Sequence, residues 1–385
     1  MLRIVVGGDI FLGGNIHLQY SERPASVVSE VFASLLHKFQ SADVSFVNME
    51  AAVTNGISFS RDSRIFLSNP PYTFDILKRA GIKVVSLANN HVMDHGHQGL
   101  LNTLTLSTEK VKLSGIGRNL IEALSPAVIT AKGWKIAFLS FSEVWGHPEW
   151  AASQERPGLA ESKDEVVLPA VKSAVDKYDA VFVYLHHGIN RSIIPTPLIR
   201  SLSHAAIQAG CSAVFGNHIH QVAAMEVLNN RPIFYGLGDL IFPETIGEGL
   251  HMRPFSRCRD SLLVELYLEK PGEPPKWKTT VYHYNYRSQK VSKANLWRHW
   301  ATLLRIWLFS QFLKTPLSKY ETLFQAVDLR SPGSFPARCF RSIFELSPML
   351  EHLWWTLFRP PTCRPFLSPG YRPSHLMDKI IKYLK

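Results

Sequence analysis

Residues 84–96 have the sequence VVSLANNHVMDHG, in which a strand signal leads directly into ligand-type side chains. The apolar run at 82–88 predicts a buried strand, because near-continuous apolar runs are typical of strands that are covered on both faces. The run is followed by Asn90, His91 and Asp94, whose side chains can bind metals or move protons. Open α/β sheets bind their ligands outside the carboxyl ends of the strands. The stretch therefore predicts a polar site at the edge of an α/β sheet.

Strand and helix signals alternate along the first three quarters of the chain. Strands are predicted at 3–8, 43–47, 82–88, 112–116, 127–131, 135–141, 180–185, 212–215, 222–228, 231–236, 261–268 and 278–285. Helices are predicted at 24–40, 73–80, 98–110, 166–177 and 198–209, and loops at 54–71 and 145–163. This alternation is typical of an α/β domain.

Five of the predicted strands end in residues that can bind a metal. These residues are Asp9, Asn48 with Glu50, Asn90 with His91 and Asp94, His186, and His218 with His220. Carboxylates, imidazoles and an amide oxygen together suit Mn²⁺, Zn²⁺ or Fe better than Ca²⁺. Two metals that share a site need a bridging oxygen ligand, for which a carboxylate such as Glu50 is suited. His91 would act as a proton donor or as an anion stabiliser, and Asp94 could orient it.

Each of these strand ends also has an ordinary structural explanation. Gly8-Asp9 is compatible with a turn, and Asn90 or Asp94 could cap a helix that begins near residue 97. His186-His187 could be one core and one exposed histidine. His218 and His220 would face the same side if they lay within a strand. The coincidence of all five strand ends favours a metal site.

The order of these motifs resembles the CapA family, the poly-γ-glutamate capsule synthesis proteins of the calcineurin-like metallophosphoesterase superfamily. The resemblance covers residues 2–268, and Leu87–Gly96 (LANNHVMDHG) is its most specific part. The supporting motifs are GDIFLG at 8–13, NME at 48–50, GIGRN at 115–119, HHG at 186–188, GNHIH at 216–220 and FYGLGDLIF at 234–242.

The resemblance implies a four-layer α/β/β/α sandwich, metallophosphoesterase-like, with two divalent metal ions (Mn, Zn or Fe) at one edge of the sheets. It implies that Asp9 and His220 hold one metal and that Glu50 bridges. It assigns the second metal to the ligands Asn90, His186 and His218, and the role of general acid to His91, with Asp94 as its partner. For substrate binding we predict Asn48, Arg61, Arg64 and Asp239.

Three positions depart from the family pattern. Phe11 stands where the superfamily has a histidine two residues after the aspartate, which leaves the first metal one ligand short. His186-His187-Gly188 replaces the usual His-Trp-Gly, and His186 occupies the ligand position. Asp239 lies in a late Gly-Asp-Leu turn, for which a hairpin role is favoured over a position facing the site.

The last quarter of the chain differs in composition. Residues 290–385 carry 15 Lys and Arg against 5 Asp and Glu, which is nearly all of the net charge of +11. We therefore divide the chain into a metallophosphoesterase-like domain, 1–288, and a basic, Trp- and Pro-rich, mostly helical extension, 289–385. An apolar stripe on residues 295–313 predicts an amphipathic helix that packs on the domain or lies on an anionic membrane. No nucleic-acid motif is present.

These features predict a metal-dependent hydrolase that cleaves a phosphoester or γ-glutamyl-type bond through a metal-bound hydroxide. Its expected partners are an anionic polymer or phosphoester substrate, capsule-assembly proteins and, through the extension, a membrane surface. The alternative is a non-catalytic, polymer-binding component of a membrane-associated assembly complex. The sequence shows no signal peptide and no transmembrane segment, so a cytoplasmic location, peripheral at the membrane, is expected. Four scattered cysteines predict no disulfide framework.

Overall fold

The structure is a computed structural model, and it describes residues 1–61, 64–107, 110–247, 250–253 and 256–326. The chain divides into two units after Gln325, and the features below belong to the first unit. Within the described residues, the strands are β1 (Leu2–Ile10), β2 (Val44–Met49), β3 (Phe59–Arg61), β4 (Arg64–Phe66), β5 (Val84–Ser86), β6 (Lys112–Ser114), β7 (Ile116–Gly117), β8 (Ala127–Ala131), β9 (Trp134–Ser142), β10 (Gly158–Leu159), β11 (Ala180–His186), β12 (Ala213–Asn217), β13 (Met225–Leu228), β14 (Arg231–Phe234), β15 (Asp239–Ile241), β16 (Thr245–Gly247), β17 (Leu250–Met252), β18 (Asp260–Leu268), β19 (Lys276–Asn285) and β20 (Lys290–Lys293).

The α-helices of the same residues are α1 (Gly14–Tyr20), α2 (Ser26–Glu30), α3 (Leu36–Gln40), α4 (Thr73–Ala80), α5 (Gly96–Leu106), α6 (Leu120–Leu124), α7 (Asp164–Val175), α8 (Pro197–Gln208), α9 (Leu296–Ser310) and α10 (Leu317–Ala326). Short 3₁₀ turns lie at Asn90–Met93, Pro148–Trp150, Ser256–Arg259 and Phe312–Lys314.

Two sheets form the centre of the molecule. The larger has the order β20-β19-β18-β1-β2-β5-β6, with β15 also paired to β1. Its strands β1, β2, β5, β6 and β15 are parallel, whereas β18 runs antiparallel to β1 and to β19. The smaller has the order β13-β14-β12-β11-β9-β8, and its four inner strands are parallel. The carboxyl ends of the parallel strands in each sheet therefore meet at a common edge.

Helices cover the outer face of each sheet, and the sheets face each other. Phe39 of α3 and Phe74 of α4 are buried in one core with Val47 of β2. The core between the sheets includes Phe46 and Phe138, whose rings stack 5.1 Å apart. On the far side, α7 packs on β9 and β11, and α8 packs on β12. The predicted four-layer α/β/β/α fold is confirmed.

The helix predicted at 24–40 is wrong in its middle. The structure has the short helices α2 and α3 there, separated by residues 31–35. The N–H of Val291 in β20 donates to the carbonyl oxygen of Val31, and the Ser34 hydroxyl donates to the carbonyl oxygen of Val291. The edge strand thus takes the carbonyl that a continuous helix would use. The predicted loop 54–71 likewise contains the β3–β4 hairpin, which the sequence did not indicate.

The first unit extends past the predicted boundary at residue 288. β20 pairs with β19, and α9 begins at the cap residue Asn295, whose side chain accepts a hydrogen bond from the N–H of Arg298. The chain after α9 is held by Arg200, whose guanidinium donates to the carbonyl oxygens of Leu313 and Thr315. The predicted extension beyond residue 326 lies outside the described residues.

Helix α9 packs against the rest of the first unit, as the first of the two predicted alternatives has it, but several of its large apolar side chains face solvent. Ile306 and Phe309 are buried, whereas Trp297, Trp300 and Trp307 are 65%, 61% and 50% exposed. A polar contact helps to fix the orientation of α9 about its own axis, because the Ser310 hydroxyl at the end of the helix accepts a hydrogen bond from the N–H of Met225. Among the described helices, none has both the length and the apolar character needed to cross a bilayer.

Candidate metal centre

Two neighbouring strand ends place carboxylates beside each other in a fully buried position. Asp9 of β1 lies opposite Asn48 of β2, and Glu50 follows β2 directly. The Asn48 amide nitrogen donates to Asp9 Oδ1 at 2.7 Å and to Glu50 Oε2 at 2.9 Å. The side-chain N–H groups of Asn48, which is predicted to bind substrate, therefore hold the two carboxylates together.

Glycine allows a third strand to reach this point. A Cβ at Gly8 would lie 1.8 Å from the carbonyl oxygen of Gly238, so β15 can approach β1 only where position 8 is glycine. This pairing sets Asp239 beside Asp9 in the parallel register. The Asp239 carboxylate accepts from His220, with 2.9 Å between Oδ1 and Nδ1. Asp239 thus lies in a strand and not in the favoured hairpin turn, and it faces the site, which was the other predicted role, where it orients His220.

The strand end at β5 continues into the 3₁₀ turn Asn90–Met93. Asn89 caps this turn, because its Oδ1 accepts from the N–H groups of Val92 and Ala51 at 3.0 and 3.2 Å. Its amide nitrogen donates to the carbonyl oxygen of Met49 at 2.9 Å. Asn89, which the sequence predicts only as a turn residue, thus also joins the β2 and β5 ends and so positions Asn90 and His91.

His91 and Asp94 face each other across this turn. Nδ1 of His91 lies 2.7 Å from Oδ2 of Asp94. The same carboxylate oxygen accepts from the N–H of Leu67 at 2.7 Å, and Arg64 lies 3.9 Å from Oδ1. Asp94 therefore does not cap the following helix. The side chain of Arg61, which was also predicted to bind substrate, lies outside the described residues.

The second sheet contributes three histidines. His186 ends β11, where its Nε2 lies 3.1 Å from Asn90 Oδ1 and 3.8 Å from Glu50 Oε1. Its neighbour His187 contacts Glu143 instead, at 3.2 Å. The rings of His186 and His218 are 5.1 Å apart.

His218 and His220 follow the end of β12 at Asn217, so they do not share one face of a strand. Both residues have positive φ angles, 92° and 57°. Such backbone strain in non-glycine residues persists where the surroundings hold it, and it clusters at functional sites. The bend brings the His220 Nδ1 to 3.8 Å from Asp9 Oδ2.

Phe11, which stands where the family pattern has a histidine, lies in apolar surroundings. Phe11 is fully buried and contacts the ring of Phe242 at 5.4 Å, and Phe242 in turn lies edge-on to His220 at 5.2 Å. Phe11 therefore supports the His220 side of the site through packing.

Burial and mutual charge perturb the titratable groups. Burial raises the pKa of Asp9, and burial together with the charge of Asp9 raises that of Glu50 well above its ordinary value. Burial lowers the pKa values of His186 and His218 far below the ordinary range, so both imidazoles are neutral and able to bind a metal. Burial also lowers the pKa of His220, but the carboxylates of Asp239, Glu50 and Asp9 outweigh this and raise it to about 10.

Within the described part of the chain, several buried polar atoms of this cluster lack a hydrogen-bond partner. They are Asp9 Oδ2, Glu50 Oε1, His186 Nδ1 and His218 Nδ1. Each such atom costs about 1–3 kcal/mol unless something binds it. Asp9, Glu50 and His220 also offer ligand atoms that all lie within 4.8 Å of one another. A nitrogen and oxygen donor set with unpaired buried atoms fits a divalent transition metal.

Two further residues belong to this environment although the sequence did not single them out. The Tyr184 hydroxyl donates to Asp9 Oδ1 at 3.2 Å across the two sheets. Trp145, with a φ of 45°, places its ring 4.6 Å from that of His218. Tyr184 lies in an apolar strand and Trp145 at the start of a predicted loop, and neither segment indicated a site. The one signal is that Tyr184 precedes His186 with the period-2 spacing that puts them on one face.

Comparison with known proteins fits this geometry. The family model described as bacterial capsule synthesis protein PGA_cap matches residues 3–244. The chain belongs to this family of bacterial capsule synthesis proteins. The family predicted from the motifs is thereby confirmed, and the matched region contains every residue of the centre described above.

Two relatives have names that refer to capsule or PGA biosynthesis. The PGA biosynthesis protein CapA of Bacillus subtilis is 29% identical over 268 residues, which cover 69% of this chain and 67% of that protein. The capsule biosynthesis protein CapA of Bacillus anthracis is 29% identical over 216 residues, which cover 55% of this chain and only 50% of that protein. The 5'-nucleotidase precursor of Thermus thermophilus aligns in structure with a TM-score of 0.41 and 13% identity, over 85% of this chain and 59% of that one.

Proposed function

We propose that this family member is a metal-dependent hydrolase of capsule synthesis, acting on a phosphoester or γ-glutamyl-type bond of an anionic substrate. The observation that supports it most directly is the set of unpaired buried atoms on Asp9, Glu50, His186 and His218. Asp9 and His220 would hold one divalent ion, Asn90, His186 and His218 a second, and Glu50 would bridge them. When bound, Mn, Zn or Fe would stabilise the negative charge that develops in the transition state.

His91 would supply the proton. Its Nδ1 is engaged by Asp94, so Nε2 is the ring atom left to donate to a leaving group. Asp94 is held in place by the N–H of Leu67, and Arg64 lies 3.9 Å from its Oδ1. His91 is also close enough for its charge to lower the pKa values of His186 and His218. This places the proposed acid beside the proposed metal ligands.

Metal content and activity together test this function. Protein reloaded with Mn²⁺, Zn²⁺ or Fe²⁺ is expected to bind two equivalents by elemental analysis and to cleave members of a panel of phosphoesters and γ-glutamyl peptides. His97→Ala is the control for His91→Ala, since His97 is half-buried and its Nε2 lies 3.1 Å from the backbone carbonyl oxygen of Glu149. If loaded protein is inactive on both panels and His91→Ala behaves like wild type, the protein is instead the polymer-binding component of an assembly complex.

A specific observation favours membrane contact as well. The face of α9 that points away from the core carries Trp297, Trp300 and Trp307, and Lys290 and Lys293 are exposed on the neighbouring strand β20. Tryptophan favours the membrane interface, and lysines attract anionic lipid headgroups. We propose that this face holds the protein peripherally at a membrane, where capsule-assembly proteins would be its partners.

A further inference from the structure

The peptide unit that joins Glu50 to Ala51 is bound at both of its polar ends by side chains from distant parts of the chain. Its carbonyl oxygen accepts a hydrogen bond from Asn69 Nδ2 at 2.6 Å. Its N–H donates to Asn89 Oδ1 at 3.2 Å. Both asparagines are fully buried. The two amide side chains therefore fix the orientation of the peptide that follows Glu50.

The backbone at Ala51 lies in the left-handed region, with a φ angle of 76°. This conformation is unfavourable for a residue with a Cβ, and alanine has no polar side-chain group that could support it locally. The Ala51 side chain is buried in an apolar cluster with Phe11, Leu67 and Phe242. Such strain persists only where the surroundings hold the backbone in place, and here Asn69 and Asn89 provide the polar contacts.

Asn69 is itself held firmly. A proline follows it in the sequence, which favours an extended backbone at Asn69. Its N–H donates to the carbonyl oxygen of Ala52 and its carbonyl oxygen accepts from the N–H of Thr54, both at 2.9 Å. Its Oδ1 accepts from the N–H of Leu12 at 2.8 Å, and its Nδ2 also donates to the carbonyl oxygen of Ala51 at 3.1 Å. Asn69 thus connects the segments that follow β1 and β2.

The orientation of this peptide affects the Glu50 carboxylate. The N–H of Glu50 donates to the carbonyl oxygen of Ile10 at 2.9 Å, so the backbone is fixed on both sides of the Glu50 Cα. Oε2 accepts from Asn48, whereas Oε1 lacks a partner and lies 3.8 Å from His186 Nε2. A rotation of the peptide after Glu50 would move Oε1 away from the histidine of the second sheet.

We propose that Asn69 is a positioning residue of the metal centre, which holds the Glu50–Ala51 peptide in its strained conformation and so directs Glu50 toward the metals. The inference rests on the proposed function, because Glu50 is the proposed bridging ligand. The side chain of Asn69 binds backbone atoms, so it acts through the peptide and not as a ligand. An asparagine that only stabilised the fold would not depend on which residue occupies position 51.

The test measures metal affinity, whether or not any hydrolysis occurs. Mn²⁺ is titrated into the metal-free, full-length protein, and free Mn²⁺ is followed by electron paramagnetic resonance. The variants are Asn69→Ala, Ala51→Gly and the two combined. Thr103→Val is the matched control, since Thr103 is also fully buried and its Oγ1 accepts from the N–H of Val53, in the same segment, at 2.8 Å.

We expect Asn69→Ala to bind Mn²⁺ about 10–100-fold more weakly than wild type. Without the amide, Ala51 leaves the left-handed region in part of the molecules, and only the remaining fraction presents Glu50 correctly. The combined variant should recover at least about fivefold of this loss, because glycine adopts positive φ angles without the alanine penalty. Ala51→Gly alone and Thr103→Val should bind Mn²⁺ like wild type.

Asn69→Ser is the milder variant, since a hydroxyl can still donate one hydrogen bond, and an intermediate loss of affinity is expected if Asn69→Ala does not fold. Wild-type affinity in folded Asn69→Ala, or no recovery in the combined variant, would overturn the proposal. Wild type that binds no Mn²⁺ would overturn the metal centre and this inference together. Wild type that binds Mn²⁺ but cleaves no substrate would contradict the hydrolase function alone, and the comparison of the variants still decides the role of Asn69.

Discussion

The imidazole of His91 and the carboxylate of Asp94 lie 2.7 Å apart across a single 3₁₀ turn. The turn itself is capped by Asn89, so the pair is fixed by the backbone at the end of β5. A carboxylate that accepts from one ring nitrogen sets the tautomer and orientation of the other. The His91 ring is thereby oriented by residues that do not belong to the proposed metal ligands.

Removing the acid should lower turnover and leave metal content unchanged. For His91→Ala we expect kcat to fall by about 10²–10⁴-fold, which is the usual contribution of a general acid. Asp94→Asn should cause a smaller fall, about 10–100-fold, because the ring remains but loses its orientation. Steady-state kinetics on the best substrate of the panel measures both. Equal activity of His91→Ala and the His97→Ala control would contradict the assignment of His91.

Substitutions of the adjacent residues His186 and His187 provide a matched test of metal binding. His186→Ala should lose at least one equivalent of metal, because its ring lies beside Asn90 and Glu50. His187→Ala should keep the wild-type content, since His187 contacts Glu143 away from the centre. Elemental analysis after dialysis against trace metal measures the difference. Loss of metal in both variants, with both still folded by circular dichroism, would contradict the proposed ligand set.

Asp239→Asn should change the titration of His220 in the metal-free protein. The pKa of His220 is raised to about 10 chiefly by the charge of Asp239 and the hydrogen bond to it, against the lowering effect of burial. Without that carboxylate the pKa should fall, so the imidazolium loses its proton at a lower pH. NMR titration of the histidine ring signals checks this, and His220→Ala identifies the His220 signal by its loss. Metal affinity should fall by about 10–100-fold in the same variant.

Glu265 predicts an acid dependence of stability. Burial raises its pKa, but Lys38 and Arg3 outweigh burial, and the pKa lies below the ordinary value of 4.5. Because the folded-state pKa is the lower one, this contribution is fully present above pH 4.5 and is lost as the pH falls through the folded-state value. Glu265→Gln should therefore lower the free energy of unfolding by about 2 kcal/mol near pH 7, and the difference should diminish in acid.

Urea denaturation between pH 3 and pH 7 measures this difference. Glu269→Gln is the control, since its ion pair with Lys276 is exposed and contributes little. A constant effect of Glu265→Gln across the pH range would show that packing, and not charge, is what the substitution removes.

The exposed face of α9 predicts binding to anionic vesicles. Replacing Trp297, Trp300 and Trp307 by Ala should abolish cosedimentation with vesicles that contain phosphatidylserine, while the unfolding midpoint changes little because these rings are at least half exposed. Phosphatidylcholine vesicles should bind wild type weakly. The control is Leu317→Ala, an exposed apolar residue at the start of α10. Wild-type binding by the triple variant would exclude this face as the contact.

Local patterns in the sequence were enough to predict the layers and the positions of the ligand-type residues. Apolar runs that end in polar residues mark parallel strands, and the end of each such strand must lie at a common edge. For this reason Asp9, Glu50 and His186 could be grouped although they are far apart in the chain. The helix at 24–40 failed because a residue at position 291 takes the carbonyl of Val31, and periodicity carries no information about such distant contacts.

Residues 84–96 by themselves determined that a buried strand ends in an amide, an imidazole and a carboxylate. The same residues were the most specific indication of the family. Only the tertiary structure decided what each side chain contacts. Asn48 and Asp239, which are predicted to bind substrate, also hold Glu50 and His220 in place, and Asn89, which is predicted only as a turn residue, joins two strand ends. The reason is physical, since a buried polar atom must find a partner, and which partner is near depends on how the sheets pack.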